Sequence, residues 1–300
     1  MPEIRPCTTP AQRERALAIY NAVWPWDAIT MKEVDSWRSQ ALDYADFLGD
    51  GGAAAMAIMP RRPQVGSGHV HVLPDERNRG IGSALYAAVS AWLAKHDVCE
   101  LDVRVPEDDA PSLAFAQRRG FREVERNGRL VLELAALEPP PIDAPEGIEI
   151  VTWAERPELA RGLYEVACES YPDVPGERDA LMESYEDWLR HDMQSPGDRA
   201  DSTFVALAGD EVVGYAKLNF TAAQPAASFH DMTAVKRAWR GRGVAGALKR
   251  TQIAWAKTHG YEQLQTENEL RNEPIRRLNE RLGYRQAPGQ IVVRGPIAAS

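Results

Sequence analysis

The chain repeats itself. Val72, Arg77, Arg79, Gly80, Ala84, Leu85, Trp92, His96, Leu101, Pro111 and Gly120 each recur 163 residues later, as Val235, Arg240, Arg242, Gly243, Ala247, Leu248, Trp255, His259, Leu264, Pro274 and Gly283. The register holds without a gap from residue 72 to residue 120. Two short loops resemble each other by chance easily; an ungapped stretch of this length that includes a tryptophan does not. Upstream the register drifts, but "EIRPCTTPAQRERALAIY" still resembles "EIVTWAERPELARGLY". An internal repeat of this size means one supersecondary plan built twice. The length of 300 residues agrees with about two domains. Between the copies lies "LEPPPIDAPEG", whose three consecutive prolines favour a stiff, extended spacer. The expected division is a domain over 1–136, a linker over 137–147 and a domain over 148–300.

The second copy is the easier to read. "GIEIVTW" alternates and is β-branched, a strand signal. "ERPELARGLYEVACESY" places Leu159, Leu163, Val166 and Ala167 on one helical face. "LMESYEDWLRHDM" predicts another helix, its acidic side read as a solvated face. "STFVALAGDEVVGYAKLNF" reads as two strands turning at Gly209-Asp210, and "SFHDMTAVK" as a further strand. A helix then opens at "RGRG", followed by strand "EQLQTEN", helix "EPIRRLNERLG" and a strand pair over Tyr284 to Arg294. The order β-α-α-β-β-β-α-β-α-β predicts an α/β fold, each copy a mixed, mostly antiparallel sheet flanked by helices.

The glycine-rich turns "RNRGIGS" and "RGRGVAG" each follow a strand and start a helix. A helix start leaves about four backbone N–H groups without partners and carries roughly half a positive charge. Glycine lets backbone approach a ligand closely. Together these make an anion site suited to pyrophosphate. Neither turn is a Walker A loop, which needs GxxxxGK[ST]. "GRGVAG" fits a dinucleotide fingerprint, but its counterpart "NRGIGS" does not, so that fit is weak. What both share is R-x-x-G-x-[GA].

That shared pattern resembles the acetyl-CoA loop of the GNAT acetyltransferase superfamily, V-x-P-x-x-[QR]-x-x-G-x-[GA]. "VLPDERNRGIG" matches throughout, and "VKRAWRGRGVA" departs only at Arg237, where the family often has proline. A second family signature, N-x-x-[AS]-x-x-x-[YN]-x-x-x-G-[FY], resembles "NEPIRRLNERLGY" and, with Asp109 for the asparagine and Ala116 at the Tyr/Asn position, "DAPSLAFAQRRGF". The chain is identified as a tandem member of this superfamily. The resemblance implies that Val72 and Val235 offer backbone groups to pantetheine. It implies that Arg77, Asn78, Arg79, Gly80, Ile81, Gly82 and Ser83, and Arg240, Gly241, Arg242, Gly243, Val244, Ala245 and Gly246, hold pyrophosphate. Asn272 and Asn279 would contact CoA.

The chemistry so implied is direct acetyl transfer from acetyl-CoA to an amine, with no metal. A base must take the amine's proton, and backbone N–H groups stabilise the oxyanion. Glu267 and His230 are the base candidates. His230 and its neighbour Asp231 should point to opposite faces of their strand, so that one at most reaches the cleft. Asn279 cannot act as the acid for the departing thiolate; Tyr284 is one candidate. Ala116 removes the usual polar group from the first copy, so chemistry is expected in the second, with the first binding or scaffolding. His69 and His71 share a strand face but lack a third ligand at a metal-site spacing. The partner expected is a small-molecule amine, or a protein N-terminus, and the protein a monomer or homodimer. The alternative is a non-catalytic acyl-CoA sensor.

Composition sets limits on the rest. Thirty-five basic against 44 acidic residues leave a net charge of −9, a poor basis for nucleic-acid binding. Three scattered cysteines give no disulfide framework. No apolar run is long enough to cross a bilayer, and the cytoplasm is the expected location.

Overall fold

The compact units are not the two halves of the sequence. The computed structural model describes residues 2–59, 65–173 and 182–298. The first half carries strand β1 (Ile4–Pro6), helices α1 (Pro10–Val23) and α2 (Met31–Gln40), and strands β2 (Asp43–Gly49), β3 (Ala53–Met59) and β4 (Val65–Val72). Helix α3 (Ile81–Ala94), β5 (Glu100–Pro106), α4 (Ala110–Gln117) and β6 (Arg122–Glu133) follow. The second half runs β7 (Ile148–Thr152), α5 (Ala160–Ser170), α6 (Tyr185–Trp188), β8 (Asp198–Ala208), β9 (Glu211–Asn219) and β10 (Ala227–Val235). It ends with α7 (Val244–Thr258), β11 (Gln263–Glu269), α8 (Glu273–Arg281) and β12 (Arg285–Pro296).

Unit 1 comprises Met1–Arg126 with Pro288–Ser300, and unit 2 comprises Asn127–Ala287. Each half gives its last strand to the other unit's sheet. In unit 1, β12 pairs antiparallel with β5 from Gln290 to Pro296. In unit 2, β6 pairs antiparallel with β11 from Asn127 to Glu133. The expected boundaries, 1–136 and 148–300, therefore do not coincide with the compact units, and the stretch 137–147 lies within unit 2. Burial drives the exchange: Ile291 and Val293 sit in the core of unit 1 beside Leu101 and Val105, and Leu130 and Leu132 sit with Leu264 in unit 2. Leu130 and Val293 occupy the same repeat position, so either strand has the apolar pattern to complete either sheet.

Strand order is β1-β2-β3-β4-β5-β12 in unit 1 and β7-β8-β9-β10-β11-β6 in unit 2. One neighbouring pair in each is parallel, β4 with β5 and β10 with β11. Helix α3 buries Ile81, Leu85, Val89 and Leu93 along one stripe. Helix α7 likewise buries Val244, Leu248, Ile253 and Ala256. The expected elements of the second copy form, with two differences. The strand pair over Tyr284 to Arg294 is the single strand β12. Helix α6 is short and passes into a wider π turn over Leu189–Met193. Leu181, first residue of that expected helix, lies outside the described residues.

Candidate active site

The parallel pairs in both units come apart where they meet the glycine-rich turns. In unit 2, β10 pairs with β11 only at Ala227, Ser228 and Phe229. From there to Val235 its strand ladder is with β9, although Thr266 Oγ1 of β11 still donates to His230 O (3.4 Å). In unit 1, β4 pairs with β5 from Val65 to Gly68 and then diverges. A diverging strand presents backbone N–H and C=O groups that need partners. Each opening contributes to a cavity, of about 510 Å³ in unit 1 and about 890 Å³ in unit 2. These volumes fall in the usual range for small-molecule sites.

The turns close each cavity at one end. Gly80 and Gly243 are the N-caps of α3 and α7, with φ of 79° and 88°. Two positions earlier, Asn78 (φ 64°) and Gly241 (φ 73°) are also left-handed. Only glycine, or asparagine at some cost, takes that conformation readily, which explains these residue types in the pattern. Neither cap has a side chain bonding to the first-turn N–H groups. Thr9, Asp109 and Ser184, by contrast, cap α1, α4 and α6 with their side chains. The bare first turns of α3 and α7 thus remain open for an anion.

The loop arginines do more structural work than expected. Arg77 Nε donates to Val72 O (3.2 Å) and Arg240 Nε to Val235 O (2.9 Å), the same bond closing the turn twice. The rest of each guanidinium meets a carboxylate. Arg77 grips Asp109 with both terminal nitrogens (3.1 and 2.8 Å). Arg240 and Arg237 share Asp173 (2.6 and 2.8 Å). The hydrogen bonds from Arg237 and Arg240 hold the Asp173 carboxyl down at about 2. Arg79 pairs with Glu76 (2.7 Å), and Arg242 lies 5.0 Å from the Trp239 ring centroid. Arg79 and Arg242 do not line the cavities; the other expected loop residues do.

A β-bulge shapes the deep end of the unit 2 cavity. Register against β9 shifts between His230 and Met232. A bulge re-aims side chains, so His230 and Asp231 both line the cavity, against the alternation expected from sequence. Glu267 on β11 lines it too, standing opposite Arg129 in the ladder. Asp231 pairs with buried Lys217 (2.7 Å), which also holds Asp198 (3.0 Å). His230 is buried. Its Nε2 accepts from the Tyr284 hydroxyl and its Nδ1 donates to Gln252 Oε1 (2.8 Å). Burial, then the charge of Lys249, pushes its pKa far down. A neutral ring with both nitrogens engaged is poorly placed to take a proton, and this geometry tells against His230 as a base. Tyr284, also buried, lies behind His230 and not on the cavity wall. Asn272 lines the cavity, while Asn279 is buried and donates to Asn268 Oδ1 (2.8 Å).

Unit 1 differs in register and in charge. Its β4 pairs with β3 from Ser67 to Val72 without a bulge. Asp109 caps α4 through Ser112 and pairs with Arg77, placing a carboxylate in the cavity wall. His69 and His71 stack at 5.4 Å and meet the Tyr20 ring edge-on. Burial lowers the pKa of His71 to about 3. Sequence reasoning missed Phe115 and Arg119, which stack at 3.5 Å in this cavity, and Lys249 in unit 2.

The fold repeats one plan in two units, and comparison with known proteins identifies the family. The model of the acetyltransferase (GNAT) family matches residues 16–121 and 160–284. The chain belongs to that family. It superposes on the tandem GNAT protein from the clavulanic acid biosynthesis pathway with a TM-score of 0.80, covering all of both chains at 20% identity. A GCN5-related N-acetyltransferase from Sphaerobacter thermophilus gives 0.76 at 22% identity, over 100% of this chain and 96% of that one. In sequence, 61 residues are 44% identical to the mycothiol acetyltransferase of Clavibacter michiganensis subsp. michiganensis. That match spans about a fifth of either chain, 19% of this one and 20% of the relative.

Proposed function

We propose that unit 2 transfers the acetyl group of acetyl-CoA to the primary amine of a small molecule or a protein N-terminus. The observation that carries this reading is the joining of three features in one cavity. These are a bare helix start at Val244–Gly246, a diverging strand edge, and a bulge next to two carboxylates. The helix start suits pyrophosphate. The unpaired edge of β10 suits the amides of pantetheine. N–H groups at a bulge suit the oxyanion of a tetrahedral intermediate. Glu267 is the proposed proton acceptor for the amine, with Asp231 also on the cavity wall; His230 and Tyr284 position the strand. The local likeness to mycothiol acetyltransferase supports a small-molecule acceptor.

Unit 1 is proposed to bind acyl-CoA without turnover, because it lacks the bulge and places Asp109 in its cavity wall. Thiol release from acetyl-CoA over a panel of amines tests the reading. Turnover lost in Gly243→Val and lowered in Glu267→Gln supports it. Acetyl-CoA binding with no turnover by the unaltered chain would make the protein a sensor.

A further inference from the structure

A lysine in the wall of the unit 2 cavity has no anion to meet it among the described residues. Lys249 is 1% exposed, lies six residues after the cap Gly243, and lines the cavity. No hydrogen bond or ion pair is seen for it among the described residues; its Nζ lies 5.9 Å from the Tyr284 ring centroid. Buried charges in proteins are ordinarily paired. Three residues further along the same helix face, Gln252 Nε2 is also buried without an acceptor. Donors are left over here, and an acceptor is missing.

The depth of Lys249 identifies that acceptor. Lys249 Nζ lies beside the ring of Tyr284, whose hydroxyl donates to His230 Nε2, and His230 immediately precedes the bulge. It therefore sits level with the bulge, where the reading above puts the thioester, and not level with the pyrophosphate turn. We infer that Lys249 is the group that receives the negative charge of the CoA sulfur, its ammonium pairing with the departing thiolate. The inference rests on the proposed acetyl transfer. In that step the neutral acceptor amine attacks the thioester carbon. The C–N bond forms, the C–S bond breaks, and the electron pair leaves on sulfur. The Lys249 ammonium stays paired with the thiolate until CoA leaves, and the proton lost by the new amide goes to Glu267. The α8 position at which the resemblance expects Tyr or Asn holds Asn279, which has no proton to give as an acid. In unit 1 the repeat position of Lys249 is Tyr86, whose hydroxyl is spent on Pro296 O (2.6 Å).

Burial brings the Lys249 amine down to about 7, so both of its forms exist near neutral pH. A thiolate placed beside it favours the charged form. His230 and Tyr284 face it, both uncharged in this setting. Of the charged groups lining the same cavity, Asp231 is paired with Lys217 and Asp173 with Arg237 and Arg240. Glu267, Arg250 and Arg281 complete the set.

The test uses the full chain with CoA, acetyl-CoA and desulfo-CoA as probes. Thiolate formation in bound CoA is followed by ultraviolet absorbance against pH, with desulfo-CoA as the blank. The expected result is ionisation at least one pH unit below the ordinary value of about 8.5. In Lys249→Met it should return to that value with acetyl-CoA affinity changed less than about threefold, a small effect. Lys249→Arg should keep the lowered value, because its charge is permanent. Unit 1 contributes equally to every variant, so the differences report unit 2. Ordinary ionisation of CoA bound to the unaltered chain would overturn the inference while leaving acetyl-CoA binding intact. Absence of acetyl-CoA binding altogether would instead remove the functional reading and the inference with it.

Discussion

Val293 stands opposite Val103 in the antiparallel ladder that completes unit 1, although 190 residues separate them in the chain. The contact is not peripheral. Val293 and Ile291 are 4% and 2% exposed, and Arg294 clamps Asp102 with two bonds of 2.7 Å. A chain ended after Ala287 should therefore expose the edge of β5 and empty part of the unit 1 core. Loss of two buried β-branched side chains costs several kcal/mol, a large fraction of a domain's stability. Thermal unfolding should show the unit 1 transition lowered or lost. A synthetic peptide of residues 288–298 added back should restore it; a transition unchanged by truncation would contradict the exchange.

The two copies supply each other's substitution controls at the turn. Gly241 has φ 73° and open space for at least 4 Å around the point where a Cβ would stand, and its counterpart Asn78 already holds φ 64°. Gly241→Asn should therefore fold and bind acetyl-CoA as the parent does. Gly243→Val places a β-branched residue at φ 88°, at a cost of roughly 1–2 kcal/mol, and should weaken acetyl-CoA binding by unit 2. Calorimetric titration of both variants checks the pair; equal binding by both would mean the turn does not hold the ligand.

Asp109 occupies the Arg77 guanidinium in the unit 1 cavity, as Asp173 occupies Arg240 in unit 2. Burial opposes its ionisation, but bonds from Arg77 and Ser112 outweigh burial and hold its pKa below the ordinary carboxylate value. It is therefore charged at neutral pH. Asp109→Asn keeps a cap for α4 and frees the Arg77 guanidinium. Acetyl-CoA affinity of unit 1 should rise about tenfold, or 1.4 kcal/mol, and the gain should shrink as salt screens it. Unchanged affinity at low salt would show that the phosphates lie away from Arg77.

How much of this is legible in the sequence follows from what repeats and what does not. The turn is readable because its positive-φ positions restrict residue choice to glycine and asparagine, and the pattern appears twice. The strand exchange is not readable: Leu130 and Val293 are equivalent positions, and either could close either sheet. The bulge at Asp231 leaves no residue signature, so simple alternation misplaces that side chain. Lys249 follows Ala247 and Leu248 on a helix whose buried stripe is recognisable, yet a lysine there reads as solvent-facing. Only its burial and its place beside the Tyr284 ring show that it points inward.

That buried lysine leaves a mark on stability as well as on ligand chemistry. Its pKa is about 7 in the folded chain against 10.5 for the free side chain. Between those values the unfolded chain binds more protons than the folded one, so stability rises with pH through this window. Below about pH 7 both states are protonated and the burial penalty is fully present; above about 10.5 both are neutral and it is gone. Lys249→Met removes the charge while nearly keeping the volume, and with it a desolvation penalty of several kcal/mol. The variant should unfold at higher urea than the parent at pH 7, and its advantage should narrow steadily towards pH 10. Urea titrations of both proteins across that range measure the difference directly, cancelling the other titrating groups they share. A constant gap between the two curves would show that Lys249 reaches solvent in the folded chain.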